Sequence, residues 1–283
     1  MPSGYVWEGF LVYMDEKRKK IKVPDLERKK SQGEKIVMLT AYDYLFARIV
    51  DEAGVDIILV GDSLGTVIAG HTSTLPVTLR DIIYHASAVS RGVNYALVVA
   101  DMPFLSYQVS IKDAKKNCGT VIKETGAAAV KVEGGRAIAK TIRALVDIGI
   151  PVMGHVGMTP QSLNKFGGYR VQGKTPDARK KILEDALAVE AAGAFSVVLE
   201  AIPSDLAAEI TSRLRIPAIG IGAGVQCDGQ VIVLHDMLGL FDDFKPVFVK
   251  RYANLKDLSL NAIKQYSEEV RNGKFPDEEH SYK

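Results

Sequence analysis

The sequence has few cysteines, no long apolar run and almost no net charge. Its two cysteines, Cys118 and Cys227, exclude a disulfide framework, so a reducing cytoplasm is expected with both thiols buried as small apolar groups. No apolar run approaches the roughly 20 residues of a membrane span, and residues 6–14 include Glu8 and lack the basic lead-in of a signal peptide. Thirty-six basic and 34 acidic residues leave a net charge of +2, so neither nucleic acid nor a membrane surface is an expected partner.

A pattern recurs along the chain: a helix-like segment ends at a glycine, and a short apolar run follows. Glycine takes the left-handed conformation that ends helices at little cost. The runs are continuous rather than alternating, which is typical of strands buried on both faces of a parallel sheet. About eight strands are predicted, at residues 36–39, 57–60, 96–100, 128–133, 151–153, 196–199, 218–221 and 247–249.

The number and spacing of these runs predict a (βα)₈ barrel as a single domain. A doubly wound open sheet is the alternative, but no Gly-x-Gly-x-x-Gly with a following acidic residue comes after the first strand. We predict an N-terminal extension over residues 1–21, a catalytic barrel over 22–283, and a C-terminal helix over 254–273. The charge-rich stretch 15–35 is interpreted as a solvated lead-in.

Charged residues follow the predicted strands where a barrel carries its catalytic groups. A single aspartate at such a position is often only a helix cap, but several like charges buried together need a neutralising partner. A divalent cation with oxygen ligands supplies one, and the absence of cysteine favours Mg²⁺ or Mn²⁺ over Zn²⁺. The strand-end residues are Asp62, Asp101, Lys131, Glu133, His155 and Glu200.

Four features of the sequence have both a functional and a simpler structural explanation. Lys131 and Glu133 lie on the same side of a strand, because side chains alternate with a period of two. They are either site residues or an exposed ion pair on an edge strand. His155 is a site residue or a hydrogen-bonded structural histidine. The glycine-rich residues 219–224 bind an anion through backbone N–H groups or allow close packing, and residues 166–173 form a mobile lid or a plain loop.

Nine short motifs in a fixed order carry a resemblance to a known family. They are TAYD (40–43), GDSLG (61–65), GHTSTLPVT (70–78), ADMPF (100–104), VKVEGG (130–135), GHVGMTPQ (154–161), FGGY (166–169), LE (199–200) and IGIGAG (219–224). The ordered set resembles the ketopantoate hydroxymethyltransferase family, over residues 22–250. Residues 1–13 have no expected counterpart in that family, so we expect either that Met14 is the natural start or that the segment is a local extension.

The resemblance implies a (βα)₈ barrel of the phosphoenolpyruvate mutase/isocitrate lyase superfamily and a homo-oligomer, in bacterial members usually a decamer. The implied reaction moves a one-carbon unit from 5,10-methylenetetrahydrofolate to 3-methyl-2-oxobutanoate, and its product, 2-dehydropantoate, feeds pantothenate and coenzyme A synthesis. By resemblance, Asp62, Asp101 and Glu133 form the Mg²⁺ site, and Asp62, Ser63, Asp101 and Lys131 surround the oxo acid. Glu200 is then the catalytic proton acceptor, and His155 lies in the same site.

Two other functions compete with this one. A lyase or mutase of the same superfamily would share the barrel and the cation, but the strand ends lack a cysteine flanked by glycine and histidine, which the lyases carry. A catalytically silent binding barrel predicts that a site residue has been lost, and none is lost here. The first competitor would not depend on folate, and the second would catalyse nothing.

Overall fold

Eight parallel strands close into a barrel in chain order, with β1 pairing both β2 and β8. The computed structural model describes residues 18–242 and 246–282. The predicted (βα)₈ barrel is confirmed, and the open-sheet alternative is wrong. The strands are β1 Ile36–Thr40, β2 Ile57–Val60, β3 Leu97–Asp101, β4 Ala129–Glu133, β5 Val152–Gly157, β6 Ser196–Glu200, β7 Ala218–Ile221 and β8 Gly229–Ile232.

Helices cover the outside of the barrel and fill its connections. They are α1 Val23–Ser31, α2 Tyr44–Glu52, α3 Leu64–Val67, α4 Leu79–Gly92, α5 Ile111–Thr125, α6 Ala139–Val146, α7 Leu163–Phe166, α8 Pro176–Ala191, α9 Ser204–Arg213, α10 Leu234–Met237 and α11 Leu255–Arg271. The predicted C-terminal helix is therefore confirmed as α11. None of the helices within the described residues combines the length and apolar character that crossing a membrane requires.

The eighth strand was predicted in the wrong place. Residues 247 and 248 form a turn, and the strand that closes the barrel is β8. Its first residue must be glycine, because a Cβ on Gly229 would lie 2.4 Å from the carbonyl oxygen of Ile36. A strand that begins with glycine and glutamine gives no continuous apolar run, so the sequence pattern could not reveal it.

Two apolar clusters stabilise the barrel. One fills the space between the outer faces of the strands and the helices, and it includes Cys118, which is buried as expected. The other fills the barrel interior with the inward side chains of successive strands, such as Ile36, Ile57 and Leu97. A packed interior of this kind closes the barrel to solvent rather than forming a pore.

The charged lead-in is more ordered and more buried than predicted. Helix α1 places Leu26, which is fully buried, in the same apolar cluster as the barrel interior. On this helix, Lys30 Nζ donates to the carbonyl oxygens of Thr211 and Ile216 and to Asp228 Oδ2. These contacts attach α1 to the amino-terminal end of the barrel. The predicted extension 1–21 falls mostly outside the described residues and stays a prediction, as does the origin of residues 1–13.

Asp51 of α2 gives a prediction about stability. Its carboxylate is 1% exposed and accepts the backbone N–H groups of Asn94, Tyr95 and Ala96 at 2.8, 3.2 and 2.7 Å. A buried donor left unpaired costs about 1–3 kcal/mol. The Ala96 N–H is buried and the other two are partly buried, so Asp51→Ala should lower the free energy of unfolding by about 2 kcal/mol or more. Urea unfolding measures this.

The exposed Asp147 offers a matched control. It pairs with Arg143 one turn away on the surface, so Asp147→Ala should cost about 0.5 kcal/mol or less. Equal losses in the two variants would show that the three backbone contacts of Asp51 contribute nothing specific.

Candidate active site

The predicted charged residues lie on the inner face of the barrel. Along β4 and β5, Ala129 and Met153 belong to the interior apolar cluster. Lys131 and His155 come two residues later, so the alternation of a strand directs them inward as well. The inward positions thus change from apolar to charged at the carboxyl ends of the strands. One cavity is lined by all seven predicted site residues: Asp62, Ser63, Asp101, Lys131, Glu133, His155 and Glu200.

Lys131 is the cation at the centre of this cluster. Its Nζ lies 2.6 Å from Asp101 Oδ1 and 3.2 Å from His155 Nδ1. Burial lowers the pKa of Lys131, but the charges of Asp101, Glu133 and Asp62 outweigh burial and leave the pKa above its ordinary value. Lys131 and Glu133 are 3% and 7% exposed, so the alternative of an exposed edge pair is wrong.

His155 connects Lys131 with Glu200. Its Nε2 lies 3.1 Å from Glu200 Oε2, and its Nδ1 lies 3.6 Å from Glu133 Oε1. Burial and the charge of Lys131 lower the pKa of His155, but the adjacent carboxylates of Glu133 and Glu200 raise it to about 9. His155 is thus an ion-pair partner of Glu200, and the side chain of Glu200 is the more exposed of the two and faces the cavity.

The surroundings of the two aspartates disfavour their ionised forms. Burial, followed by the charges of Asp101 and Glu133, raises the pKa of Asp62. Burial also raises the pKa of Asp101, although the charge and hydrogen bond of Lys131 partly offset it. The cluster therefore has room for a further positive charge.

Gln161 holds the carboxylates in place, and the sequence analysis assigned it no role. Its Nε2 donates to Asp62 Oδ2 at 3.0 Å and to the carbonyl of Met102 at 2.9 Å. Its backbone N–H donates to Glu133 Oε2 at 3.0 Å, and its Oε1 accepts from Tyr107 Oη at 3.0 Å. Its position at the end of the GHVGMTPQ motif was the only signal that could have pointed to it.

Ser63, predicted to bind substrate, lies at the start of α3 beside Asp62. Its hydroxyl is 2.8 Å from the hydroxyl of Tyr42, which is buried. Burial raises the pKa of Tyr42 far above its ordinary value, so the phenol stays protonated and its hydrogen remains available to Ser63.

The cavity extends well beyond the charged cluster. Its volume is about 990 Å³, and Tyr169, Arg170 and Val171 of the predicted lid form part of its wall. Close packing accounts for two of the glycines in the 219–224 stretch. A Cβ on Gly222 would lie 2.7 Å from the ring of Phe248, and one on Gly224 would lie 2.6 Å from Ser204 Cβ.

Comparison with known proteins shows the family of this chain. Residues 20–278 match the family described as ketopantoate hydroxymethyltransferase. The chain belongs to the ketopantoate hydroxymethyltransferase family. A Pelobacter propionicus protein named 3-methyl-2-oxobutanoate hydroxymethyltransferase is 58% identical over 95% of this chain and 100% of its own length. Relatives of the same name from Syntrophus aciditrophicus and Moorella thermoacetica are each 56% identical over 94% of this chain and 98% and 99% of theirs.

Solved structures share the fold at low sequence identity. A phosphonopyruvate hydrolase in complex with oxalate and Mg²⁺ has a TM-score of 0.60 and 12% identity, covering 92% of this chain and 93% of its own. A 2,3-dimethylmalate lyase of the phosphoenolpyruvate mutase/isocitrate lyase superfamily has a TM-score of 0.59 and 19% identity, covering 92% and 91%. The named relatives show that this chain is an enzyme of the hydroxymethyltransferase family, so the silent-barrel alternative is wrong, and the solved structures share its barrel fold.

The donor set of this family member suits a hard divalent cation that substrate and water help to bind. Within the described residues, no three His, Cys, Asp or Glu side chains form a ready-made metal cluster. However, Glu133 Oε1 is a buried acceptor without a hydrogen bond there, and the ionised forms of Asp62 and Asp101 are disfavoured by burial, which a bound cation would offset. Since Mg²⁺ is commonly held by one or two carboxylates together with water and substrate, Asp62, Asp101 and Glu133 fit such an ion.

Gln161 should affect cation binding, because it orients two of these three carboxylates. Gln161→Leu removes the N–H donors to Asp62 without adding a charge beside it. We expect the dissociation constant for Mn²⁺, measured by electron paramagnetic resonance of the free ion, to rise about 10- to 100-fold. The same change in the exposed Gln265, which bonds Glu269 on α11, should leave Mn²⁺ binding unchanged. Unaltered binding in Gln161→Leu would contradict this role.

Proposed function

We propose that the protein transfers a hydroxymethyl group from 5,10-methylenetetrahydrofolate to 3-methyl-2-oxobutanoate. Water supplies the hydroxyl group, and the products are 2-dehydropantoate, a precursor of pantothenate, and tetrahydrofolate. The observation that carries the proposal is the chain of contacts Asp101–Lys131–His155–Glu200, placed beside two further carboxylates in one cavity. The names of relatives that match nearly the whole chain support the same reaction.

The reaction must remove a proton from C3 of the oxo acid, next to its ketone. Mg²⁺ or Mn²⁺ held by Asp62, Asp101 and Glu133 would draw electron density from the carboxylate and carbonyl oxygens of the substrate. Lys131 adds a fixed positive charge in a dry environment, where such a charge stabilises developing negative charge most strongly. Ser63 offers a hydroxyl beside the same oxygens.

Glu200 is the proton acceptor in this proposal. Its carboxylate borders the open part of the cavity, and the imidazole of His155 holds one of its oxygens at 3.1 Å. His155 is therefore a positioning residue that leaves the other oxygen of Glu200 free for the proton at C3. The deprotonated carbon then forms the new bond to the one-carbon unit of the folate.

The proposal extends to assembly and location. We infer a homo-oligomer, with a decamer as the expected form, and a location in the cytoplasm. The free, buried thiols of Cys118 and Cys227 support a reducing compartment. Sedimentation velocity of the purified protein tests the oligomer size.

Proton NMR in D₂O provides the direct test of the chemistry. The protein, Mg²⁺ and 3-methyl-2-oxobutanoate are mixed without folate, and loss of the C3 proton signal is expected. EDTA and Glu200→Gln should each prevent this loss. Methylenetetrahydrofolate added afterwards should yield 2-dehydropantoate. If the C3 proton exchanges but no product forms with the folate present, a folate-independent lyase or mutase reaction would replace the proposed one.

A further inference from the structure

The charged cluster occupies one side of the cavity, and a single carboxylate stands on the other. Asp62, Asp101, Glu133 and Glu200 line the cavity from the ends of strands β2 to β6. Among the described residues, Asp236 is the one other acidic side chain in its wall. It lies on α10, just after β8, on an arc of the barrel that contributes nothing else to the proposed chemistry.

Asp236 is half-buried, and its carboxylate has no partner in the part of the chain that the structure describes. No hydrogen bond or ion pair of this side chain is found within residues 18–242 and 246–282. Burial raises the pKa of Asp236 to about 6, although the nearby charge of Arg251 lowers it in part. The group is therefore ionised at neutral pH, and a partly buried charge without a partner is costly unless a ligand supplies hydrogen bonds.

The cavity around Asp236 is too large for the oxo acid alone. At about 990 Å³, it is at the upper end of the roughly 300–1,000 Å³ that drug-sized ligands occupy. The wall of the cavity that holds Asp236 includes apolar and aromatic side chains, among them Phe241, Val247 and Phe248. The ring of Phe248 packs directly against the backbone of Gly222, so it presents a supported flat surface.

Asp236 also lies within electrostatic reach of the catalytic side. Its charge and that of Asp101 both act on the buried phenol of Tyr42, which contacts Ser63. A ligand held by Asp236 would therefore share one cavity with an oxo acid held by Ser63, Asp101 and Lys131.

We propose that Asp236 binds the pterin ring of the folate cosubstrate. The 2-amino-4-oxopyrimidine edge of a pterin presents two parallel donors, N3–H and the 2-amino group. The two carboxylate oxygens accept both donors, in the paired geometry that carboxylates adopt with guanidinium groups. The apolar wall covers the face of the ring. This assignment rests on the proposed function, because it takes folate as the cosubstrate.

Isothermal titration calorimetry tests the assignment. Two ligands are titrated into wild type and into two variants, under anaerobic conditions with Mg²⁺ and the oxo acid present. The ligands are tetrahydrofolate and its 2-desamino-2-methyl analogue, which lacks one of the two donors. Wild type should bind tetrahydrofolate about 10-fold or more tightly than the analogue. Asp236→Asn should weaken tetrahydrofolate binding about 10- to 100-fold and reduce the preference over the analogue to about 3-fold or less. Asp242→Asn, a change in an exposed carboxylate that pairs with Lys256, should behave as wild type.

Each outcome bears on a separate claim. If wild type binds both ligands equally, no partner for the 2-amino group exists and the proposal is overturned, whatever the variants do. If Asp236→Asn keeps the wild-type preference, another residue holds the pterin. If wild type exchanges the C3 proton of the oxo acid yet binds no tetrahydrofolate, the folate part of the proposed function fails and the pterin site fails with it.

Discussion

Replacing Lys131 by methionine is expected to lower kcat/KM about 10³-fold or more. The substitution keeps the length of the side chain but removes the charge 2.6 Å from Asp101. Loss of one preorganised electrostatic group costs about 10²- to 10³-fold in rate. The carboxylates left without their cation are also buried, and removing one partner of a buried pair costs about 3–5 kcal/mol. Steady-state kinetics with both substrates measures the loss.

Lys140 provides the comparison for Lys131. It lies on the exposed surface of α6, so Lys140→Met should leave kcat/KM unchanged. If Lys131→Met stays within about 10-fold of wild type, the ammonium group does not stabilise the reacting oxygens and the proposed mechanism is wrong.

Glu200→Gln is expected to lower kcat about 10²- to 10⁴-fold, the range for loss of a general base. The amide is isosteric but cannot accept the C3 proton. Because Glu200 binds neither the oxo-acid carboxylate nor its carbonyl in the proposal, KM for the oxo acid should change by about 3-fold or less. The rate of C3 proton exchange in D₂O should fall together with kcat.

Two further variants distinguish the base from its surroundings. Glu184→Gln alters an exposed carboxylate that pairs with Arg136 and should have no effect. His155→Gln should reduce exchange less than Glu200→Gln does, since His155 positions the base rather than accepting the proton. The reverse order would assign the proton transfer to His155.

Much of the barrel and its charged cluster follow from local sequence patterns. Buried parallel strands give continuous apolar runs, and a charged residue that ends such a run must lie at the barrel mouth. Lys131 and His155 illustrate this, because each follows an inward apolar residue by two positions. Their roles in the reaction come from the family, since spacing alone does not distinguish a base from a positioning residue.

The parts that were missed depend on contacts distant in sequence. Gln161 bonds Asp62 across 99 positions of the chain, and no local pattern reports such a contact. Strand β8 depends on a close approach between Gly229 and Ile36, and Leu26 is buried only because the barrel closes above it. Asp236 stands in a short helix where acidic residues are common, so only the finished cavity distinguishes it.

Leu26 and the packed interior close the amino-terminal end of the barrel. Substrates and products must therefore use the same opening, at the carboxyl ends of the strands. In the proposed function, the oxo acid binds at the bottom of the cavity, among the buried charges, and the larger folate lies above it. This arrangement predicts that the oxo acid enters before the folate and that tetrahydrofolate departs before 2-dehydropantoate. The closed end of the barrel thus predicts a compulsory-order kinetic scheme with the small oxo acid as the first substrate.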